Sequence, residues 1–377
     1  MITDSPNKYR RVGLHDGRDR GLLERALANA SLVEAQGFAS VLTLKHLAWQ
    51  SGASYVYLRK IIERRQDPYT EILRYRRNGA PMRIISAPNP PLMAVQRWIL
   101  RNIVQHMHVH SSSYAYMRGD SIVRCATVHL GATWLIKMDV HDFFHSINER
   151  QVYSIFREVG YGALISLELA RLCTRSALGL RLTSSQMRDY KVSSYQTLRL
   201  GALPQGAPTS GPLANVAMKD CDQNLRGLAM EHGLAYTRYA DDIVFSASDE
   251  FSHLRASEIV NRAGSILRDH GLTPHDGKTR VAPPGSRRVV LGLLVDGDSV
   301  RLPQATRRRI HDHIRAVRKF GLADHSRSRG FASAFGFIHH VDGLIAFAKD
   351  VEPGFATKSR EEWNEVLSHQ GWRAPSS

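Results

Sequence analysis

The chain has 377 residues, 43% of them hydrophobic, which is enough to bury a substantial core in two or three subdomains. A formal net charge of +16 predicts a polyanionic partner, with nucleic acid as the first candidate and an anionic membrane surface as the alternative. No apolar run approaches the roughly 18 residues of a spanning helix, and residues 1–20 are too polar for a cleavable signal, so no membrane partner is expected.

The first elements are predicted to be helical and are followed by a hairpin. Residues 19–50 place apolar side chains at helical spacing, which indicates a small N-terminal helical layer. Two strands, Tyr69 to Gly79 and Pro81 to Ser86, then flank an Asn-Gly turn, and Arg83 projects from the second. Proline residues break the chain at 88–91, and an amphipathic helix is predicted over 93–104.

Two acidic sites follow about a hundred residues apart. A short apolar run ends in Asp139. Farther on, Tyr236 to Ser246 alternates as a hairpin with Asp241 and Asp242 at its tight turn. An isolated acidic pair is usually a solvated turn. An acid at the end of one buried strand and an acidic pair on a neighbouring hairpin can instead share two divalent metal ions about 4 Å apart, as in phosphoryl transfer.

Between these acids lies a rigid loop. Residues 203–211 place two prolines and two glycines around Gln205, and Gly206 allows the backbone to approach a ligand closely. A connector is the ordinary interpretation of such a loop, and its position between the acids favours a nucleotide contact. One helix is predicted from about Pro212 to His232.

The C-terminal part changes character. After a helix over 252–270 come Lys278 and a strand over 289–296, and arginines then crowd residues 301–329. A helix over 305–320 has an apolar face, and Arg308, Arg315 and Lys319 lie on its cationic face. Those three cations either bind structured RNA or serve only as a solvated surface.

Cysteines and histidines give little evidence for a separate metal site. Cys125, Cys173 and Cys221 are widely separated and form no CxxC motif, which indicates a reducing cytoplasm and argues against structural zinc. The alternating residues His106, His108 and His110 could share one face of a strand and bind a metal. Ordinary polar spacing on a half-exposed segment accounts for them as well.

Three motifs together resemble a reverse transcriptase, most closely the bacterial retron type. Tyr239-Ala-Asp-Asp242 resembles the YxDD motif, and Asp139 with the Phe143-Phe144 pair resembles the carboxylate motif of a strand followed by a helix. Leu203 to Gly211 resembles the template- and nucleotide-binding motif between them. Weaker matches extend from about residue 80 to 295. Two positions depart from retron patterns, since Cys125 precedes the matching Ala126 and His129, and Leu291 replaces a threonine.

The resemblance implies an α+β right-hand polymerase fold with fingers, an antiparallel palm and a helical thumb. The boundaries we predict are 1–50 for the N-terminal helical layer, 51–132 for the fingers, 133–150 and 201–297 for the palm, 151–200 for a fingers insertion and 298–377 for an RNA-binding thumb.

The resemblance also implies roles for single residues. Asp139 and Asp241, assisted by Asp242, would be catalytic and would hold two Mg²⁺ ions, and Lys278 would be a general acid. Contacts to the nucleotide would come from Arg83, Phe144, Gln205 and Gly206, with the Phe144 ring under the sugar so that it excludes a 2′-hydroxyl. A surface arginine at 83 and a solvated lysine at 278 remain the alternatives.

The expected protein is therefore a cytoplasmic RNA-directed DNA polymerase that uses deoxynucleotides. Retron resemblance further implies a dedicated structured noncoding RNA as template and primer, a branched RNA–DNA product (msDNA), and antiphage defence with a separate effector protein. Two alternatives are the reverse transcriptase of a group II intron or of another defence system, and a non-catalytic RNA-binding protein on a polymerase scaffold.

Overall fold

A computed structural model of the chain describes residues 6–74, 83–176, 200–248 and 251–372. The predicted Asn78–Gly79 turn lies outside the described residues. The side chain of Arg83 also lies outside them, although its backbone begins a strand.

The N-terminal layer is helical, as predicted. It comprises α1 (Pro6–His15), α2 (Arg20–Ala35) and α3 (Leu44–Ser51), and α4 (Tyr55–Ile62) follows in the range predicted for the fingers. The side chains of Asp19, Thr43 and Ser54 accept hydrogen bonds from backbone amides and begin the last three of these helices. The predicted hairpin is also present, because β1 (Tyr69–Arg74) pairs antiparallel with β2 (Arg83–Pro88).

A mostly helical region follows. Its elements are α5 (Pro90–Asn102), α6 (Ile122–Thr127), β3 (Trp134–His141), α7 (Phe143–Ser146), α8 (Glu149–Val159) and α9 (Ala163–Cys173), after which β4 (Arg175–Ser176) pairs with β5 (Gly201–Ala202). The predicted start of α5 at residue 93 was wrong. Asn89 caps the helix, and proline is tolerated in the first turn, so α5 begins at Pro90.

The helix predicted from Pro212 to His232 is in fact two helices, α10 (Ser210–Ala217) and α11 (Lys219–Glu231). They are separated at Met218, where ψ is −4°. Met218 is 2% exposed in the main core. The break between the two helices therefore coincides with a side chain packed in the core, and no local sequence pattern reveals this packing.

The central sheet is antiparallel and carries the acids. Its order is β6 (Ala235–Tyr239), β7 (Asp242–Ala247), β3 and β8 (Thr273–Pro274), and β9 (Arg280–Ala282) also pairs with β3. Helix α12 (His253–Asp269) joins β7 to β8. Asp139 lies within β3, which continues to His141, so the prediction that the strand ends at this acid was wrong.

Side-chain alternation divides the central sheet into two faces. The main core receives Trp134, Ile136, Met138 and Val140 from β3, and Ile243, Phe245 and Ala247 from β7. Leu135 and Val244 belong instead to a second core. Side chains alternate along a strand, so Asp139 points to the same face as Leu135, and Asp242 to the same face as Val244. Both acids therefore lie on the face opposite the main core.

The C-terminal bundle comprises α13 (Gln304–Phe320), α14 (Leu322–Ser328), α15 (Ala334–Val351) and α16 (Pro353–His369). It supplies most of the second core. The single strand predicted over 289–296 was wrong, because β10 (Val289–Val290) and β11 (Leu293–Leu294) form a hairpin. Leu291 and Gly292 make its two-residue turn with φ of 48° and 82°, as a type I′ turn requires.

All three cysteines are free and buried. Burial raises the pKa of the Cys125 thiol to about 11 and the pKa values of Cys173 and Cys221 to about 12. Within the described residues, none of the helices has the length and apolar character needed to cross a bilayer.

Candidate active site

Pairing of β3 with β7 brings the predicted acids together. Asp139 is directly opposite Asp242 in the ladder, and Asp241 lies in the two-residue turn that joins β6 to β7. The Val140 amide donates to the Asp241 carbonyl at 3.2 Å, and the His275 amide donates to the Asp139 carbonyl at 2.8 Å. The backbone of the acidic turn is therefore attached to β3, the strand that carries the third carboxylate.

Negative charge is concentrated at this edge of the sheet. Although Asp242 is partly accessible to solvent, the surrounding protein displaces water from its carboxylate. That desolvation, together with the charges of Asp241 and Asp139, raises the pKa of Asp242 to about 6. A bound cation would favour the ionised form of Asp242.

Lys278 provides a positive charge at the same place. Its Nζ lies 2.8 Å from Asp139 Oδ1, and its side chain is 53% exposed while that of Asp139 is 13% exposed. Lys278 ends a single helical turn, Asp276–Lys278, just after β8. The structure thus places the predicted general acid beside the acidic cluster, with its exposed part open to solvent.

The donor set suits Mg²⁺ bound together with a substrate. Across the described ranges, no three His, Cys, Asp or Glu side chains form a compact group that could hold a metal by themselves. Magnesium usually takes one or two carboxylates plus phosphate oxygens and water, so Asp139, Asp241 and Asp242 fit ions that arrive with a nucleotide. The alternative site at His106, His108 and His110 is not formed either, since the described part of the chain contains no such group of three side chains.

The two phenylalanines of α7 have different environments. Phe143 is 4% exposed and belongs to the main core, whereas Phe144 is half-buried. The Phe144 ring centroid lies 6.1 Å from that of Tyr116. Phe143 is therefore a core residue, as predicted, and contact of Phe144 with the sugar stays a prediction.

Tyr116 is a residue of this site that sequence reasoning missed. Its φ of 68° is unusual for a large side chain, and desolvation followed by the charge of Asp241 raises its pKa to about 12. A Cβ at Gly211 would lie 2.4 Å from Tyr116 Cγ, so this ring requires glycine there. The final glycine of the predicted loop was the available signal, but its partner could not be identified from sequence.

Gln205 and Gly206 lie against β2. The Ser86 amide donates to the Gln205 carbonyl at 2.7 Å, and a Cβ at Gly206 would lie 2.6 Å from Ile85 Cγ2. Gly206 also has a φ of 117°, which favours glycine. The predicted nucleotide loop is therefore fixed to the strand whose first residue is Arg83.

His129 connects β6 and β7 of the central sheet through its two ring nitrogens. It is fully buried, with Nδ1 2.7 Å from Ser246 Oγ and Nε2 2.7 Å from Thr237 Oγ1. Cys125, one of the two departures from the retron pattern, lies 3.3 Å from the same threonine. Desolvation lowers the pKa of His129 to about 4, so the ring is neutral and structural.

The predicted RNA-binding cations lie on the outer face of α13. Arg308, Arg315 and Lys319 are exposed, while Ile310, Ile314 and Val317 are buried. Neighbouring arginines are paired with acids, as Arg307 is with Glu352 and Arg318 is with Glu365. Within the described part of the chain, no acidic side chain forms an ion pair with Arg308, Arg315 or Lys319.

Comparison with known proteins gives one family. The family model described as "Reverse transcriptase (RNA-dependent DNA polymerase)" matches residues 76–295. Retron Mx162 reverse transcriptase of Myxococcus xanthus is 32% identical over 74% of this chain, and Retron Ec86 reverse transcriptase of Escherichia coli is 31% identical over 72% of it. The matched parts span 56% and 72% of those two proteins. A solved telomerase from Candida albicans, in complex with a fragment of telomeric RNA, aligns at 12% identity over 83% of this chain and 58% of that chain, with a TM-score of 0.42.

Proposed function

Because the chain belongs to the reverse transcriptases, the RNA-dependent DNA polymerases, and to the retron type among them, we propose that it copies part of a dedicated structured noncoding RNA into DNA. The observation that carries the proposal is the placement of Asp139 opposite Asp242, with Asp241 at the adjoining turn. Two carboxylates on one face of a sheet and a third in the adjoining turn suit metal-dependent nucleotidyl transfer.

Asp139 and Asp241 hold two Mg²⁺ ions in this proposal, and Asp242 assists. When bound, such ions activate the primer hydroxyl and stabilise the pyrophosphate leaving group. Lys278, hydrogen-bonded to Asp139, supplies a proton to that leaving group. Deprotonation of Asp242 then accompanies ion binding, since desolvation and the two neighbouring carboxylates otherwise raise its pKa.

The nucleotide lies between α7 and the loop that packs on β2. Phe144 excludes a 2′-hydroxyl and so selects deoxynucleotides. Gln205 and Gly206 contact the nucleotide through a loop fixed to Ser86, and Arg83 on the same strand contacts its phosphates. The rigid attachment of the loop would keep these contacts in register with the acids.

The RNA serves as both template and primer, which gives a branched RNA–DNA product of the msDNA type. The cations of α13 bind the structured RNA, mainly through its phosphates. Support for the retron assignment comes from the similarity to the two retron enzymes. A role in antiphage defence, with a separate effector protein, follows from the same assignment.

Sequencing of the nucleic acid that co-purifies with the protein tests this proposal. We expect a short DNA joined to one abundant RNA from wild type, and the RNA alone from Asp139→Asn. Recovery of unrelated host RNA without DNA would reject the retron substrate. If wild type binds a specific RNA but makes no DNA with any metal ion supplied, the protein is a non-catalytic RNA-binding protein.

The defence role needs its own experiment. Phage plating is compared on cells that carry the gene with its genomic neighbours and on cells that carry the Asp139→Asn form. Protection that depends on Asp139 is expected, and equal plating on both would remove the defence role without affecting the polymerase.

A further inference from the structure

A buried ion pair lies beneath the acidic turn. Arg238 on β6 and Asp222 on α11 are both fully buried, and two hydrogen bonds of 2.7 Å connect the guanidinium to the carboxylate. Charges are rarely enclosed in this way unless they are fully paired, because desolvation opposes them. Nothing in the sequence motif requires a charged side chain at this inward-facing position.

The remaining polar atoms of this pair have partners. The Tyr236 hydroxyl donates to Asp222 Oδ1 at 2.7 Å. Arg238 Nη1 donates to Asn215 Oδ1 at 3.0 Å and to the Ala240 carbonyl at 3.0 Å. The guanidinium therefore joins α10 and α11 to the turn that carries Asp241.

The contacted turn is strained. Ala240 has φ of 57°, and it is the first central residue of a two-residue hairpin turn in which positive φ usually calls for glycine. Such a conformation persists only where the surroundings enforce it. The bond from Arg238 holds the Ala240 carbonyl, which belongs to the peptide group that leads directly into Asp241.

The same network reaches the aromatic side of the site. Asn215 donates through its amide to the Ala115 carbonyl, and the Arg238 amide donates to the Ser112 carbonyl at 2.8 Å. These bonds hold the segment that ends at Tyr116, whose ring contacts Phe144. One buried arginine thus connects the acidic turn with the segment beside the predicted sugar site.

We infer that Arg238 is a positioning residue for DNA synthesis, which holds the Ala240 turn so that Asp241 is placed for metal binding. The inference rests on the proposed function. A purely structural pair would stabilise the palm without affecting where Asp241 lies. The two possibilities differ in metal binding and in the effect of a glycine at position 240.

The main variant is Arg238→Met with Asp222→Asn, which removes both buried charges and so avoids leaving one unpaired. We expect a folded protein whose kcat for primer extension is about a hundredfold lower, with a similar KM for deoxynucleotides. Binding of Mn²⁺ together with a deoxynucleotide, followed by electron paramagnetic resonance, should weaken as well. A matched control is Arg262→Met with Glu231→Gln, an exposed pair at the other end of α11.

Rescue gives the sharper test. Adding Ala240→Gly to the double variant supplies a residue that adopts positive φ without strain, and should restore kcat by about tenfold. Arg238→Lys is measured beside it, because lysine keeps the charge next to Asp222 but lacks the fork that also reaches Ala240. Its fold should persist while kcat and Mn²⁺ binding fall.

The outcomes separate the two proposals. An inactive wild type would reject the proposed function itself. With an active wild type, the positioning role is overturned if the double variant or Arg238→Lys is folded and keeps wild-type kcat and Mn²⁺ affinity. Loss of kcat that glycine at 240 does not relieve overturns it too, because the turn would then not be what Arg238 holds.

Discussion

The central sheet and the C-terminal bundle distribute their charged side chains in opposite ways. On the sheet, Asp139, Asp241 and Asp242 are gathered at one edge, and the fold holds them together although desolvation and the neighbouring carboxylates raise the pKa of Asp242 to about 6. On the bundle, Arg308 and Arg315 are spread over a solvated helix face above an apolar core. Chemistry requires like charges in one place, whereas phosphate binding tolerates charges that are separated and mobile.

This contrast implies that synthesis and RNA binding can be impaired separately. Variants in the sheet should impair synthesis and spare binding, and variants in the bundle should do the reverse. The predictions below are ordered by their expected effect, from the largest to the smallest.

The largest effect is expected for Asp139→Asn and Asp241→Asn. Each removes a metal-binding charge, so DNA synthesis should fall about a thousandfold or more, while RNA affinity stays near that of wild type. Primer extension with Mg²⁺ and RNA-binding titrations measure the two. The exposed acid variant Asp269→Asn serves as the control, and near-normal extension by either active-site variant would contradict the two-metal proposal.

Lys278→Ala should lower kcat about a hundredfold if this lysine protonates the leaving group. Its ion pair with Asp139 at 2.8 Å suggests a second consequence, since removal of a competing cation should lower the Mg²⁺ concentration needed for half-maximal activity. Extension rates across a Mg²⁺ titration measure both. If kcat is unchanged and only the required Mg²⁺ concentration falls, Lys278 is a counter-ion of Asp139 and not the general acid.

Replacing Arg308, Arg315 and Lys319 together by alanine should weaken binding of the cognate RNA roughly tenfold or more. Loss of up to three phosphate contacts should also flatten the plot of log K against log salt by about 2 to 3. Synthesis on a saturating, generic primer-template should change less. A control for net charge is the triple alanine variant of Arg327, Lys349 and Lys358. An equal loss of RNA affinity in this control would show that position on α13 is irrelevant.

Phe144→Ala should reduce discrimination against ribonucleotides by about tenfold, because it opens space beside the sugar. Incorporation of paired ribo- and deoxynucleotides by wild type and variant measures the ratio. Phe143→Leu changes the buried neighbour, and should lower stability without altering the ratio. If both variants keep the wild-type ratio, selection depends on another residue.

The smallest effect on synthesis at neutral pH is expected for His129→Gln. The pKa of His129 is about 4 when folded and near 6.5 when unfolded, so the unfolded chain binds more protons between these values and stability falls as pH drops through that window. The histidine accounts for about 3 kcal/mol of that loss. Denaturant unfolding at pH 7 and pH 4.5 should show a smaller pH effect for the variant.

His313 of the C-terminal bundle is the matched comparison for His129. Its pKa is also lowered to about 4, first by desolvation and then by nearby cations that include Arg329. If His313→Gln removes the same pH dependence as His129→Gln, the sheet and the bundle unfold as one unit. Separate effects on two transitions would show that they unfold independently.

The motif-bearing elements could be predicted because their signals are local. A short apolar run identified β3, apolar alternation identified β6 and β7, and helical spacing identified the apolar face of α13. The resemblance to reverse transcriptases predicted that Asp139 and the acidic pair would meet. The register that puts Asp139 opposite Asp242 depends on strand pairing, and could be stated only from coordinates.

Other features depend on contacts that no local pattern encodes. Arg238 and Asp222 look like surface residues in sequence, but they are buried against each other from different elements. Tyr116 is recognised as part of the site only through its contacts with Gly211 and Phe144. Leu291 was assigned to a strand because residues 289–296 resemble a strand of the reverse transcriptases, although the chain uses it in a turn with φ of 48°.

The burial of every native cysteine makes this protein suitable for site-specific labelling. Since maleimides react with accessible thiolates, the raised pKa values of Cys125, Cys173 and Cys221 should leave these thiols unmodified at neutral pH. A single cysteine introduced on α13 and another on α12 would then accept a donor and an acceptor dye on the otherwise native chain. Energy transfer between the dyes would follow, in real time, how the bundle moves relative to the sheet while template is copied.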